Sequence, residues 1–116
     1  MKLYVDDMRP FPRDEDFICC RTYEDAIWGL SVHDFEYVSL DYHLGYCESG
    51  LDILIWMKNN GKAPPKINIH STHVWGRREM KEFCEQNFNL LHDVMYNMRT
   101  TIVVVLRFCF FIQKNK

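Results

Sequence analysis

Four short apolar runs constrain the fold of this chain more than any other feature: "LYV" leading into Asp6, "FICCR" at Phe17 to Arg21, "YVSLD" at Tyr37 to Asp41 and "KINI" at Lys66 to Ile69. Each has the length of a strand, and each is separated from the next by punctuation or by a segment of helical spacing. Strands alternating with helices in this way form helices packed on a mostly parallel sheet, an α/β domain.

The helical segments carry their own start signals. Thr22 and Asp25 make a T-x-x-D cap before Tyr23, Ala26, Ile27 and Leu30, which share one helical face. Ser49 and Asp52 repeat the pattern before "LDILIWMKNNG", a helix apolar nearly all round through Met57, predicted to be largely buried and to stop at Asn59, Asn60 and Gly61. In "RREMKEFCEQNF" the residues Met80, Phe83, Cys84 and Phe88 fall on one side and the charges on the other. Only Met8 to Asp16 separates the first two runs, whereas a helical parallel crossover takes about a dozen residues or more, so the first connection is predicted to lack a helix or to keep a single turn.

With 116 residues, 47% of them hydrophobic, the chain builds one domain with a real core. Residues 1–89 are expected to form that core and 90–116 an extension. Within the extension, "TTIVVVLRFCFFI" is too short for a membrane-spanning helix and reads as a buried last strand, with an interfacial anchor or an atypical tail as the alternatives. The formal net charge of -2, from 14 basic and 16 acidic side chains, excludes a bulk nucleic-acid-binding surface. Cys19, Cys20, Cys47, Cys84 and Cys109 form no C-x-x-C pair, and no secretory segment precedes the first strand. Core-filling thiols in a reducing cytoplasm are expected.

In an open α/β sheet ligands bind beyond the carboxyl ends of the strands. Asp6 and Asp7 end the first run, Asp41 the third, and His70 with Ser71 the fourth. Three carboxylates at adjacent strand ends suit a hard divalent cation, Mg2+ or alternatively Mn2+, with Asp7 and Asp41 as ligands and Asp6 orienting them. The competing explanation is that Asp6 and Asp7 cap the loop or pair with Arg9 and Arg13. His70 beside a phosphate suits a general acid or base. His43 and His73 suggest either transition-metal ligands or a plain polar loop. Ser71 and Arg9 are candidates for holding phosphate oxygens, Arg77 and Arg78 lie in a helix's first turn near a possible anion, and Trp75 is expected to cover the pocket.

The segments "LYVDDMRPFP", "RTYEDAIWGL", "VSLDYHLG", "SGLDILIWM" and "IHSTHVWGRREM" resemble, in order and spacing, the cyclic-phosphate-processing receiver family, over Lys2 to Phe88. The resemblance implies a single-domain, flavodoxin-like, mostly parallel sheet whose acidic pocket binds a divalent cation and processes cyclic phosphate ends, in a setting such as RNA repair. Carried over by position, Asp6, Asp7 and Arg9 match the first motif, Asp41 and Gly45 the second, and His70, Ser71 and Gly76 the third. The expected metal set is Asp6, Asp7 and Asp41, the expected catalytic set His70, Asp41 and His43, and the expected phosphate-binding set Arg9, Ser71 and Gly76. Tyr42 and His43 stand where the family favours His and Asp, and His73 with Val74 where it favours Asn-Pro. The receiver's lysine is missing from "TTIVVVL". The expected function is that of a metal-assisted phosphoesterase acting on a phosphate-containing small molecule or an RNA end, away from membranes; the alternative is a non-catalytic pseudo-receiver that binds a phosphate ligand or a protein partner.

Overall fold

The computed structural model describes residues 1–45 and 47–88. The expected last strand, the 90–116 extension and the position of the missing lysine lie outside the described residues. Strands β1 (Lys2–Val5), β2 (Phe17–Cys20), β3 (Tyr37–Leu40) and β4 (Ile67–Ile69) form one parallel sheet in the order β2-β1-β3-β4. Helices α1 (Tyr23–Val32), α2 (Gly50–Asn60) and α3 (Val74–Asn87) provide the crossovers and their packing. This strand order is that of flavodoxin-like sheets, as expected, and its direction reverses between β1 and β3. Among the described residues no helix is long and apolar enough to cross a membrane.

Strand alternation divides the side chains. Leu3 and Val5 of β1 and Val38 and Leu40 of β3 are fully buried, in one cluster with Ala26, Leu30, Ile53, Leu54, Met57 and Met80 from the helices. Each of the larger residues, Val, Leu, Ile or Met, contributes about 1.5–3 kcal/mol when removed from water. The intervening residues Lys2, Tyr4, Phe17 and Tyr37 are half-buried. Helix α2 is less buried than its composition predicts: Ile53, Leu54 and Met57 are enclosed, but Ile55 is exposed and Leu51 and Trp56 are half-buried. The sheet and the neighbouring helices cover one side of α2, and its outer face stays in water.

No helix forms between β1 and β2, as the short spacing requires. Residues 6–16 are instead tied down locally. The Lys2 N–H donates to the Asp16 carbonyl (3.0 Å), and the Asp14 carboxylate accepts from the Asp16 N–H (3.0 Å). Phe11 sets its ring edge against Tyr4 (6.2 Å), with the Arg21 guanidinium 3.7 Å from the Phe11 centroid.

The predicted caps form. The Thr22 hydroxyl accepts from the Asp25 N–H (3.2 Å), and the Asp52 carboxylate accepts from the Ser49 N–H (2.8 Å). Gly50, the first residue of α2, donates its N–H to the Tyr42 carbonyl at 2.8 Å, and a Cβ there would lie 2.0 Å from the Asp41 carbonyl oxygen. Main chain cannot step aside as a flexible side chain can, so Gly50 sets how closely α2 approaches the end of β3. Gly50→Ala is predicted to destabilise the protein by about 1–3 kcal/mol, as overpacking does. At roughly 4–8 °C per kcal/mol for a domain of this size, calorimetry reads this as a clear fall in Tm.

Candidate functional site

The strand reversal brings the ends of β1 and β3 side by side, and the acids that follow them meet there. Asp6, Asp7 and Asp41 each place a carboxylate oxygen within 4.8 Å of the others. Their commitments differ. Asp6 is fully buried, and its Oδ1 accepts from the N–H groups of Met8 (2.9 Å) and Arg9 (2.8 Å), while its Oδ2 accepts from His70 Nε2 (3.0 Å). Asp41 spends Oδ1 on the Tyr42 N–H at 2.8 Å. Among the described residues, Asp41 Oδ2 and the Asp7 carboxylate have no hydrogen-bond partner. The capping and Arg9-pairing alternative holds for Asp6, while Asp7 makes no such bond among the described residues and Asp41 keeps one oxygen uncommitted. Such a donor set, all oxygen and partly solvated, fits a hard divalent ion.

His70 sits one residue beyond β4, with its Nδ1 2.6 Å from Ser39 Oγ and its ring flat against Tyr4 (centroids 4.5 Å apart, planes 2° apart). Both ring nitrogens are engaged. Arg9 Nη1 donates to the His70 carbonyl (2.9 Å), and its Nε stands 3.8 Å from Asp6 Oδ2. The guanidinium has five donors, so it keeps some for an anion. Arg21 donates to the carbonyls of Asp6 (3.2 Å) and Arg9 (2.6 Å), clamping the turn that carries the acids.

Other expected residues are placed differently. The buried Ser71 hydroxyl accepts from the His73 N–H (3.1 Å), which leaves its own proton for an acceptor. Gly76, expected to meet phosphate, spends its N–H on His73 Nδ1 (2.9 Å) and packs beneath Tyr42, where a Cβ would lie 2.2 Å from the ring. It is a packing glycine. His43, expected in the catalytic set, is exposed and stacks its edge on Tyr42 and His73 (5.1 and 4.8 Å), with no contact to the carboxylates among the described residues. His73 caps α3, so the His73-Val74 departure from Asn-Pro preserves an N-cap acceptor with another side chain. Trp75, expected as a cover, is 69% exposed. Arg77 is exposed, and Arg78 pairs with Glu82 (3.3 Å).

Four residues at the site escaped sequence reading: Tyr4, Ser39, Asn68 and Arg21. Period two would have found three of them, because Tyr4 precedes Asp6, Ser39 precedes Asp41, and Asn68 precedes His70 by two residues, on the same sheet face. A serine inside a central strand was the clearest signal.

The electrostatics give a pH dependence. Burial is the largest influence on His70 and favours the neutral ring; Asp6 and Asp41 oppose it without reversing it, so its pKa lies below the ordinary 6.5. Burial pushes the Asp6 carboxyl up, but the Arg9 and Met8 amides and His70 outweigh it and hold it below the ordinary 3.8. In both cases the unfolded chain binds the proton more readily, so stability is full above the unfolded pKa and is lost as the pH falls. The metal-free protein is predicted to lose Tm as the pH drops below 6.5, with a further loss below 3.8. Thermal melts across this range check it, and a Tm that rises on acidification contradicts it.

Over residues 1–86 the sequence matches the family described as cyclic-phosphate processing receiver domain. No curated protein and no solved structure matches the chain. The matched span contains the whole sheet, α1 and α2, nearly all of α3, and every residue of the carboxylate cluster. The chain therefore belongs to the cyclic-phosphate processing receiver domain family.

Proposed function

We propose that the protein is a phosphoesterase that opens a cyclic phosphate, of a nucleotide or of an RNA end, at a divalent cation held by Asp7 and Asp41 with Asp6 beside them. The observation that carries this reading is the convergence of three carboxylate oxygens within 4.8 Å at the strand reversal, two of the acids retaining uncommitted oxygens among the described residues. Family membership supports a phosphate-containing ligand.

Bound there, Mg2+ or Mn2+ supplies charge for a phosphoryl oxygen and acidifies a water. The chain's own residues do the rest. Arg9, anchored on the His70 carbonyl, offers its remaining donors to phosphate oxygens, and the Ser71 proton is available to another. The overall reaction adds the oxygen of water to phosphorus and breaks one of the two ring P–O bonds. One water proton ends on the departing ribose oxygen, and a phosphomonoester remains.

The test is incubation with 2',3'-cyclic nucleotides and with RNA carrying cyclic phosphate ends, with and without Mg2+ or Mn2+. Metal-dependent conversion to the monoester is expected, falling by about 100-fold or more in Asp41→Asn and Asp7→Asn, a loss of transition-state stabilisation of about 2.7 kcal/mol or more. Cation-dependent binding of the cyclic phosphate without turnover would replace the enzyme by a binding module. Neither binding nor turnover would remove both.

A further inference from the structure

Asp6 sets the direction of a hydrogen-bond chain that runs through the strand ends. An ionised carboxylate only accepts, so the 3.0 Å contact between Asp6 Oδ2 and His70 Nε2 puts the ring proton on Nε2. The ring is enclosed, with its side chain 11% exposed, and the Asn68 amide nitrogen beside the buried Ser39 hydroxyl can only donate, so the Ser39 proton has the imidazole Nδ1 as its acceptor. Its Nδ1 is then an acceptor, and the Ser39 hydroxyl 2.6 Å away donates to it. That uses the one proton Ser39 has. Asn68 Nδ2, 3.1 Å from Ser39 Oγ, is therefore the donor in the remaining link. Each contact thus has one polarity, from Asn68 through Ser39 and His70 to Asp6. Tyr4, parallel to the imidazole at 4.5 Å, fixes the ring on its face as well.

We propose that Asn68 and Ser39 are positioning residues of the carboxylate cluster: they lock His70 in its Nε2–H tautomer, which makes the imidazole a fixed donor to Asp6 and keeps it out of proton exchange with substrate. The consequence for the cluster is specific. Asp6 Oδ1 is filled by two backbone N–H groups, and Oδ2 takes one donor from His70, which leaves Oδ2 one lone pair, with Arg9 Nε 3.8 Å from that oxygen. Asp6 is thereby limited to a single oxygen toward a cation. Outer partners of this kind tune metal affinity by about 10–100-fold. The catalytic meaning of the lock rests on the proposed function; the tautomer does not.

Nitrogen-15 NMR of the metal-free protein near neutral pH reads the lock directly. His70 is expected to show a pyrrole-type Nε2 and a pyridine-type Nδ1. Asn68→Asp replaces a donor by a group that only accepts, at an exposed strand position, and a thermal melt checks that the variant folds. Ser39 then donates toward residue 68, and Nδ1 is expected to become protonated and pyrrole-type. A purely structural Asn68 would leave the ring signals where they are. Ser39→Ala is expected to shift the Nδ1 resonance to that of an unbonded acceptor; should it fail to fold, Asn68→Asp decides. An Nδ1–H tautomer in the wild type, or an unchanged ring in Asn68→Asp, overturns the proposal. Mn2+ titration separates the two readings: with the lock present, Asn68→Asp is expected to weaken Mn2+ by about 10-fold or more. If the NMR signature holds and the wild type binds no Mn2+, the tautomer lock stands as chemistry while its positioning role and the proposed function both fall.

Discussion

The structure depends on one buried charge. Asp6 has no exposed surface, and a carboxylate in that position is tolerated only when its lone pairs are met. Three donors meet them: the amides of Met8 and Arg9, and His70 Nε2. The two amides impose a tight turn directly after β1, and that turn aims the chain into a short connection without a helix. The third donor comes from the end of β4, two strands away in the sheet. One carboxylate thus joins the loop after β1 to the sheet's far edge.

Its neighbours gain their geometry from the same arrangement. Arg21 holds the Asp6 and Arg9 carbonyls, Arg9 holds the His70 carbonyl, and Gly50 lets α2 approach the Asp41 carbonyl. The reversal of strand order between β1 and β3 opens a crevice at their carboxyl ends, and the three acids lie there. Asp6 does structural work that leaves Asp7 and one oxygen of Asp41 for a ligand. The repulsion among three close carboxylates favours a cation or its equivalent in positive charge, which Arg9 supplies in part at 3.8 Å from Asp6.

Much of this was legible in the chain. The alternation of apolar runs with capped helical segments predicted the α/β fold, and the nine residues from Met8 to Asp16 predicted the missing first helix. Asp6, Asp41 and His70 were visible because each stops an apolar run. Less visible were residues whose role depends on partners in distant strands. Ser39 and Asn68 look like ordinary polar residues until β3 and β4 pair and bring them within 3.1 Å of one another. His43 and Gly76 stood out by motif position, yet the first faces the Tyr42 and His73 rings and the second packs under Tyr42, because the start of α3 needs a cap and a close approach. Helix α2 looked buried all round since composition does not reveal how many sides have neighbours.

The proposed function requires a divalent cation on Asp7 and Asp41, with Asp6 anchored beside them. Anomalous diffraction from crystals soaked in Mn2+ tests it most directly. The account predicts a peak within bonding distance of oxygens from Asp7 and Asp41, about 2.0–2.3 Å, with His70 still donating to Asp6. A peak at His43 and His73, or none at the carboxylates in crystals whose cluster is open to solvent, would contradict it.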